Sequence, residues 1–296
     1  MAKWDVVVIG GGAAGLSAAA AAADAGLSCL VLDRMGGGGE LMNLGPLQDV
    51  DGTPAGPDVA AGLLDAAITA GAELGVAEVT GLAAEDGNWR VSTDDGTHDA
   101  RAVILAVGLA PGTLGIDGEA DFDGRGLSHC AACDGPLYGG QPVVVVGIDR
   151  WAVAEAQELA EIASEVTLVT QGGAAPTATG RVIVLRGRIT GLQGATGLEA
   201  VLVQPDDGGA PLRLATRAVF VQTARHPALG FAPILARDAD GRLVTGSALR
   251  CSLPGLFAAG DARAGGSRTV AGAMMEGRQA ALAARDLLSP LGKAAG

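Results

Sequence analysis

The chain has 296 residues, enough for two domains with substantial cores at roughly 100–200 residues each. Its 20 basic and 33 acidic residues leave a net charge of −13, with only 3% aromatics, which excludes a nucleic-acid binder built on clustered cations or stacking rings. No run reaches the ~18 apolar residues of a membrane helix, and four cysteines are too few to staple a chain of this length.

Glycine is the compositional anomaly: 48 residues, about 16% against a usual share of roughly 7%, so tight turns and close backbone approaches are expected. From Lys3-Trp4-Asp5 the chain enters a strand-like run without a basic region, apolar core and cleavage site, so residues 1–20 read as part of the fold. Asp5-Val6-Val7-Val8-Ile9 is an apolar, β-branched run of the kind buried on both faces of a parallel sheet. It leads into Gly10-Gly11-Gly12-Ala13-Ala14-Gly15, an Ala- and Leu-rich helix to Ala25 stopped by Gly26, and a second strand, Ser28 to Leu32, closed by Asp33. Strand, glycine turn, helix, strand and acid together form a dinucleotide-binding unit. Gly10 permits the turn, Gly12 admits a pyrophosphate, Gly15 lets the helix approach the strand, and Asp33 is placed to accept from a ribose.

Further along come Gly38-Gly39-Glu40-Leu41, a strand-like Ile104-Leu105-Ala106-Val107-Gly108, and Cys130-Ala131-Ala132-Cys133-Asp134-Gly135. Two thiols at this spacing can close a small ring and relay two electrons, one thiolate attacking while the other resolves the mixed disulfide. A zinc half-site is the alternative, but it needs two more ligands; Cys29 and Cys251 are isolated and His129 only abuts the first thiol. A reducing cytoplasm with one redox-active pair and no metal fits these cysteines. Val143-Val144-Val145-Val146-Gly147 is another buried strand and turn, and Arg181 to Leu185 another strand. Near the end, Pro254-Gly255-Leu256-Phe257-Ala258-Ala259-Gly260-Asp261 reads as a short apolar strand closed by Gly-Asp, followed by a helix over Ala271 to Leu288.

The N-terminal glycine turn, the Ile104–Gly108 segment and the terminal Ala-Gly-Asp together resemble the FAD-dependent pyridine nucleotide-disulfide oxidoreductases, and the order of parts is similar to low-molecular-weight thioredoxin reductase. The resemblance implies an α/β fold of two Rossmann-like domains, the second inserted in the first: an FAD domain, 1–114 plus 246–296, and a disulfide-bearing domain, 115–245, joined at Gly112–Gly118 and Gly241–Gly246. It implies that Gly10, Gly12, Ala13, Ala14 and Gly15 form the FAD-binding turn, that Asp261 bonds the ribityl chain and that Arg268 lies beside the isoalloxazine. Asp33, Arg34, Glu40, Leu41, Gly108, Gly260 and Thr269 complete the cofactor set. It also implies that Cys130 exchanges with a protein substrate, Cys133 faces the flavin and Asp134 carries the proton, with a thioredoxin-like protein or a small dithiol as partner and a homodimer as the assembly. The chain departs from the family at Glu40, where Gln is usual, and at Asp49, where Asn is usual; His226-Pro227 echoes a family His-x-Pro.

The nucleotide half of the plan is altered. Gly147-Ile148-Asp149-Arg150-Trp151-Ala152 puts a carboxylate where the family has its second glycine, which would block and repel a pyrophosphate. Where the family has a His-Arg-Arg cluster for the NADPH 2′-phosphate, this chain reads Val169-Thr170-Gln171-Gly172-Gly173. Only ten residues separate Thr170 from the strand at Arg181, and Gly172, Gly173, Pro176 and Gly180 forbid the expected helix. The expectation is therefore a flavin thiol-disulfide oxidoreductase whose donor is not canonically bound NADPH, as in ferredoxin-dependent or diflavin-linked types. The alternatives are a dithiol oxidase passing electrons to oxygen and a non-enzymatic flavin redox sensor. Trp151 reads as a packing residue, or else as a platform for a second flavin.

Overall fold

A computed structural model describes residues 4–174, 180–232 and 235–289. The chain forms two compact units, Met1–Ala110 with His226–Gly296, and Pro111–Arg225. In chain order the first unit begins with β1 (Trp4–Ile9), α1 (Ala13–Asp24), β2 (Cys29–Asp33), α2 (Gly56–Ala70), β3 (Glu73–Val76), β4 (Val79–Glu85), β5 (Asn88–Thr93) and β6 (Thr97–Leu105). The second unit holds β7 (Leu127–Ser128), α3 (Ala131–Asp134), β8 (Pro142–Val146), α4 (Arg150–Leu159), β9 (Glu165–Val169), β10 (Val182–Leu185), β11 (Gly187–Gln193), β12 (Ala200–Pro205), β13 (Leu212–Ala215) and β14 (Ala218–Val221). The chain then returns to the first unit for β15 (Leu256–Ala258) and α5 (Val270–Leu288).

The first sheet runs β3-β2-β1-β6-β5-β4, with β15 also on β6. Strands β3, β2, β1, β6 and β15 are parallel, and β4 and β5 extend the sheet as an antiparallel hairpin on the first half of β6. The alternation of β1 sorts its side chains: Val6 and Val8 enter a core with Leu16, Phe257 and the alanines of α1 and α5, whereas Val7 and Ile9 enter a core with Leu105, Trp89 and Leu256. The close fit of α1 to α5 depends on small residues, since a Cβ at Gly277 would lie 2.0 Å from the Ala14 carbonyl oxygen.

The second core also contains Leu229, Ala232, Leu235 and Leu243. This corrects the boundary drawn from the glycine-rich segments: 226–245 belongs to the first unit, and the chain crosses at 110–111 and 225–226. Backbone bonds Ala110 N–H to His226 O and Leu243 N–H to Ala262 O fasten the segment, and Gly241–Gly246 is part of that unit rather than a linker. The His226 ring meets the Asp240 carbonyl at 2.9 Å, a structural turn contact.

In the second unit, β10-β9-β8-β14-β7 form a parallel sheet and β11-β12-β13 an antiparallel one. Val143 and Val145 face Ala152, Ala156 and Leu159 of α4, while Val144 and Val146 face Ile189, Val201 and Val203 of the antiparallel sheet. Among the described residues no helix joins β9 to β10, although Pro176 lies outside them. No helix of the described residues is long and apolar enough to cross a membrane.

Candidate active site

In the first unit Gly10, Asp33, Gly108 and Gly260-Asp261 lie at or just after the carboxyl ends of β1, β2, β6 and β15, where ligands of open α/β sheets bind. Gly10 has φ +102°, and a Cβ there would lie 2.4 Å from the Ala106 oxygen; one at Gly15 would lie 1.8 Å from the Gly10 oxygen. Both glycines are therefore needed by the fold itself. Gly12 differs: a Cβ there meets nothing within 4 Å, and α1, which starts at Ala13 and Ala14, has no side-chain cap and no acid in its first turn. An open approach to uncapped helix amides is what a pyrophosphate requires.

Asp33 sits beside this turn, but its carboxylate is engaged. It accepts from the amides of Gly11 (2.7 Å), Met35 (2.8 Å) and Gly37 (3.2 Å), which leaves about one of four acceptor positions for a ribose hydroxyl. Its main visible role is to pin the next loop, and Gly38 N–H adds a bond to Gly11 O. Within that loop Arg34 and Glu40 are exposed and Leu41 is buried with Leu47 and Ala60. Gly39 backs onto Gly12, where its Cβ would lie 3.2 Å from the Gly12 Cα. Gly108 has φ +59° and open space around it.

On the opposite side of the strand ends, Gly260 N–H donates to Glu276 (2.9 Å), whose carboxylate is paired with Arg263 at 2.5 Å and is 5% exposed. Asp261 follows. Burial pushes its carboxyl above the usual range, opposed by Arg242 and Arg268 and reinforced by Glu276 and Glu40. Arg268 holds φ +55°, and Thr269 caps α5 by accepting from Gly272 N–H at 3.1 Å. Asp49, the family's Asn position, accepts from Ala271 N–H at 2.9 Å. Arg242 escaped sequence reasoning: it is 8% exposed, and its Nε is buried without a hydrogen-bond partner. A buried cation beside Asp261, an open Gly12 and an uncapped α1 fit an anionic dinucleotide such as FAD.

In the second unit β7 delivers Cys130 at the carboxyl edge of the sheet, paired through Leu127 and Ser128 to Val219 and Phe220 of β14. Cys130 and Cys133 are joined as a disulfide with a Cα separation of 5.3 Å. Cys130 is half-buried and Cys133 exposed. Cys130 Sγ accepts from Cys133 N–H at 3.2 Å, and Asp134 accepts from Ser128 Oγ at 2.7 Å. That places the carboxyl one hydroxyl away from the Cys130 amide, which donates to the same Ser128 Oγ at 3.2 Å. The other two thiols are free, and burial pushes both Cys29 and Cys251 up to about 12, far from thiolate chemistry. Among the described residues no group of three or more His, Cys, Asp or Glu could hold a metal ion.

At the corresponding turn of this unit the side chains bond to the chain itself. Gly147 keeps the tight turn, with a Cβ there 2.5 Å from the Gln222 oxygen. Asp149, however, caps α4, accepting from Trp151 N–H (3.0 Å) and Ala152 N–H (2.9 Å). Thr170 is buried and accepts from Gly187 N–H (3.4 Å), while Gln171 bonds Leu114 O (3.2 Å) and Ile189 N–H (3.0 Å). One cation does come near, because Arg188 rests its guanidinium on Gly172. Trp151 is 59% exposed, which corrects its reading as a packing residue.

A dinucleotide cradle on one Rossmann-like unit and a vicinal disulfide centre on another define the flavin-dependent disulfide oxidoreductases. Residues 4–277 match the pyridine nucleotide-disulphide oxidoreductase family, and the chain belongs to it. Within that family it is an enzyme of the thioredoxin reductase type. The thioredoxin reductase of Treponema pallidum (strain Nichols) is 34% identical over 301 residues, covering 97% of this chain and 98% of that one. The Lactococcus lactis thioredoxin reductase in its FR conformation superposes with a TM-score of 0.81 at 27% identity, covering 95% of this chain and 98% of that one. A ferredoxin-flavin thioredoxin reductase from Clostridium acetobutylicum is similar at 28% identity and a TM-score of 0.55, covering 96% and 98%.

Proposed function

We propose that the enzyme reduces a thioredoxin-like protein or a small disulfide through Cys130 and Cys133, and that its electrons come from a donor other than NADPH, a ferredoxin being the leading case. The observation that carries the donor assignment is Asp149, whose carboxylate already satisfies the α4 amides that a pyrophosphate would use. The lost arginine pair adds to this. Each missing charge-assisted contact costs about 1.5–3 kcal/mol, so two of them weaken NADPH binding by at least about a hundredfold. The likeness to a ferredoxin-flavin thioredoxin reductase supports the same reading.

When bound, FAD supplies the two electrons that open the disulfide. Gly12 and the first turn of α1 would hold its pyrophosphate, and Asp261 with Arg242 would orient it. The Cys130 thiolate attacks the partner's disulfide, Cys133 resolves the mixed disulfide, and Asp134, held by Ser128 one hydroxyl away from the Cys130 amide, would relay the proton that a departing thiolate takes up. A second reading, a second flavin stacked on the indole of Trp151, is favoured by the exposure of that ring. The flavin-to-protein ratio tests it. Light scattering tests the homodimer that the family resemblance implies.

The decisive experiment is anaerobic stopped-flow mixing of the oxidised enzyme with NADPH, NADH, reduced ferredoxin and dithiothreitol in parallel. Slow or absent bleaching by the nucleotides with fast bleaching by ferredoxin is expected. Prompt, complete bleaching at micromolar NADPH would overturn the donor assignment, and oxygen consumption driven by dithiols would reverse the proposed direction.

A further inference from the structure

The helix behind the disulfide carries a carboxylate on its core-facing stripe. On α4, Ala152, Ala156 and Leu159 are buried, and Glu155 falls at the i+3 position of the same stripe. A solvated glutamate would be expected on the other face. Two donors explain why it stays: Glu155 accepts a hydrogen bond from the backbone of Ala131, the residue after Cys130, and another from Gln222 Nε2 at 2.9 Å. The same Gln222 nitrogen reaches the carbonyl of His129, the residue before Cys130, at 3.0 Å. Both peptide neighbours of Cys130 are thus tied to one carboxyl, directly or through one amide.

We propose that Glu155 is a positioning residue of the dithiol centre, holding the Cys130 turn in place and setting, by its own protonation, the pH at which Cys130 becomes a thiolate. The inference rests on the redox role given to the pair above. Opening the disulfide breaks the S–S bond with two electrons, here from dithiothreitol, and the two sulfurs take up two protons if both end as thiols. An ionised Glu155, bonded to the backbone of the residue after Cys130, opposes a thiolate on Cys130, whereas a protonated one does not. Burial pushes Glu155 up to about 7, countered by its bonds to Ala131 and Gln222 and by Arg225, and reinforced by Glu158. The other elements packed on α4 add little charge. Strand β8 carries none, Glu165 of β9 is exposed, and Asp134 of α3 is bonded to Ser128; the His129 ring meets the Val221 carbonyl at 3.4 Å.

The test is the pH profile of Cys130 alkylation by iodoacetamide in the holoenzyme reduced with dithiothreitol, read by mass spectrometry of the Cys130 peptide. The wild-type profile should carry an additional inflection near 7. E155Q keeps an acceptor for both donors but no charge, and it should lose that inflection and react at least about threefold faster just above neutrality, where the thiolate fraction controls the rate. Q222M removes one donor to Glu155 and should move the inflection upward. Superimposable wild-type and E155Q profiles would overturn the inference while leaving the proposed function intact. A disulfide that dithiothreitol cannot open would overturn both.

Discussion

Replacing Asp149 with Ala strips α4 of both bonds at its N-terminus, from Trp151 N–H at 3.0 Å and Ala152 N–H at 2.9 Å. Loss of such a cap costs ~1 kcal/mol, within a range of about 0.5–2. The second unit spans about 115 residues, and at ~2.1 cal/mol/K of unfolding entropy per residue a loss of that size lowers its melting temperature by about 4 °C. Ala152, Ala156 and Leu159 still bury against β8, so the helix should persist. Differential scanning calorimetry reads the shift, with Asp149→Asn as a control that caps equally well. The Ala variant should also bind NADPH more tightly than the wild type, because two amides are freed, yet remain weak without an arginine pair. An Ala variant that melts with the wild type and binds NADPH no better would refute the idea that Asp149 both secures α4 and closes the phosphate position.

Gly12→Val places a branched side chain in the open space above α1 and should yield a folded protein without flavin absorbance, with the loss checked by FAD titration of the refolded variant. Arg263→Met leaves Glu276 buried and unpaired except for Gly260 N–H, which should destabilise the first unit by about 3–5 kcal/mol in urea unfolding. Because the Glu155 carboxyl is raised in the fold from 4.5 to about 7, its contribution to stability is fully present at acid pH and is lost as pH rises through that window. E155Q should therefore gain stability relative to the wild type between pH 5 and roughly 7.5, measured as the difference between their denaturant midpoints across that range.

The parts legible in the sequence were those where local chemistry and long-range packing agree. The β-branched run at Val6 to Ile9 with its glycine turn reads as a buried strand leading into a helix, and Cys130 to Cys133 reads as a thiol pair in preference to a zinc half-site because the sequence offers no two further ligands near it. The boundary near residue 226 was hidden because Leu229, Ala232, Leu235 and Leu243 join the first core from irregular backbone, with no period to betray the face they bury. Arg242 left no signal, since an arginine between Gly241 and Leu243 looks like a solvated turn. Glu155 did leave one, as the charged member of an otherwise apolar stripe at 152, 156 and 159. Reading it required knowing that the opposing elements offered donors, and those come from residues 131 and 222.

The two helix starts, α1 behind Gly12 and α4 behind Asp149, have opposite thermodynamic consequences. Unit one leaves the positive pole of α1 to be satisfied by something other than its own side chains, so its folding equilibrium is coupled by mass action to the supply of cofactor. Unit two carries its counter-charge in covalent form and has no such coupling at that helix. A cell short of flavin would therefore lose the two halves of this chain unequally. The half that binds the cofactor would forgo that stabilisation, and the half that bears the disulfide would lose nothing at its own helix start.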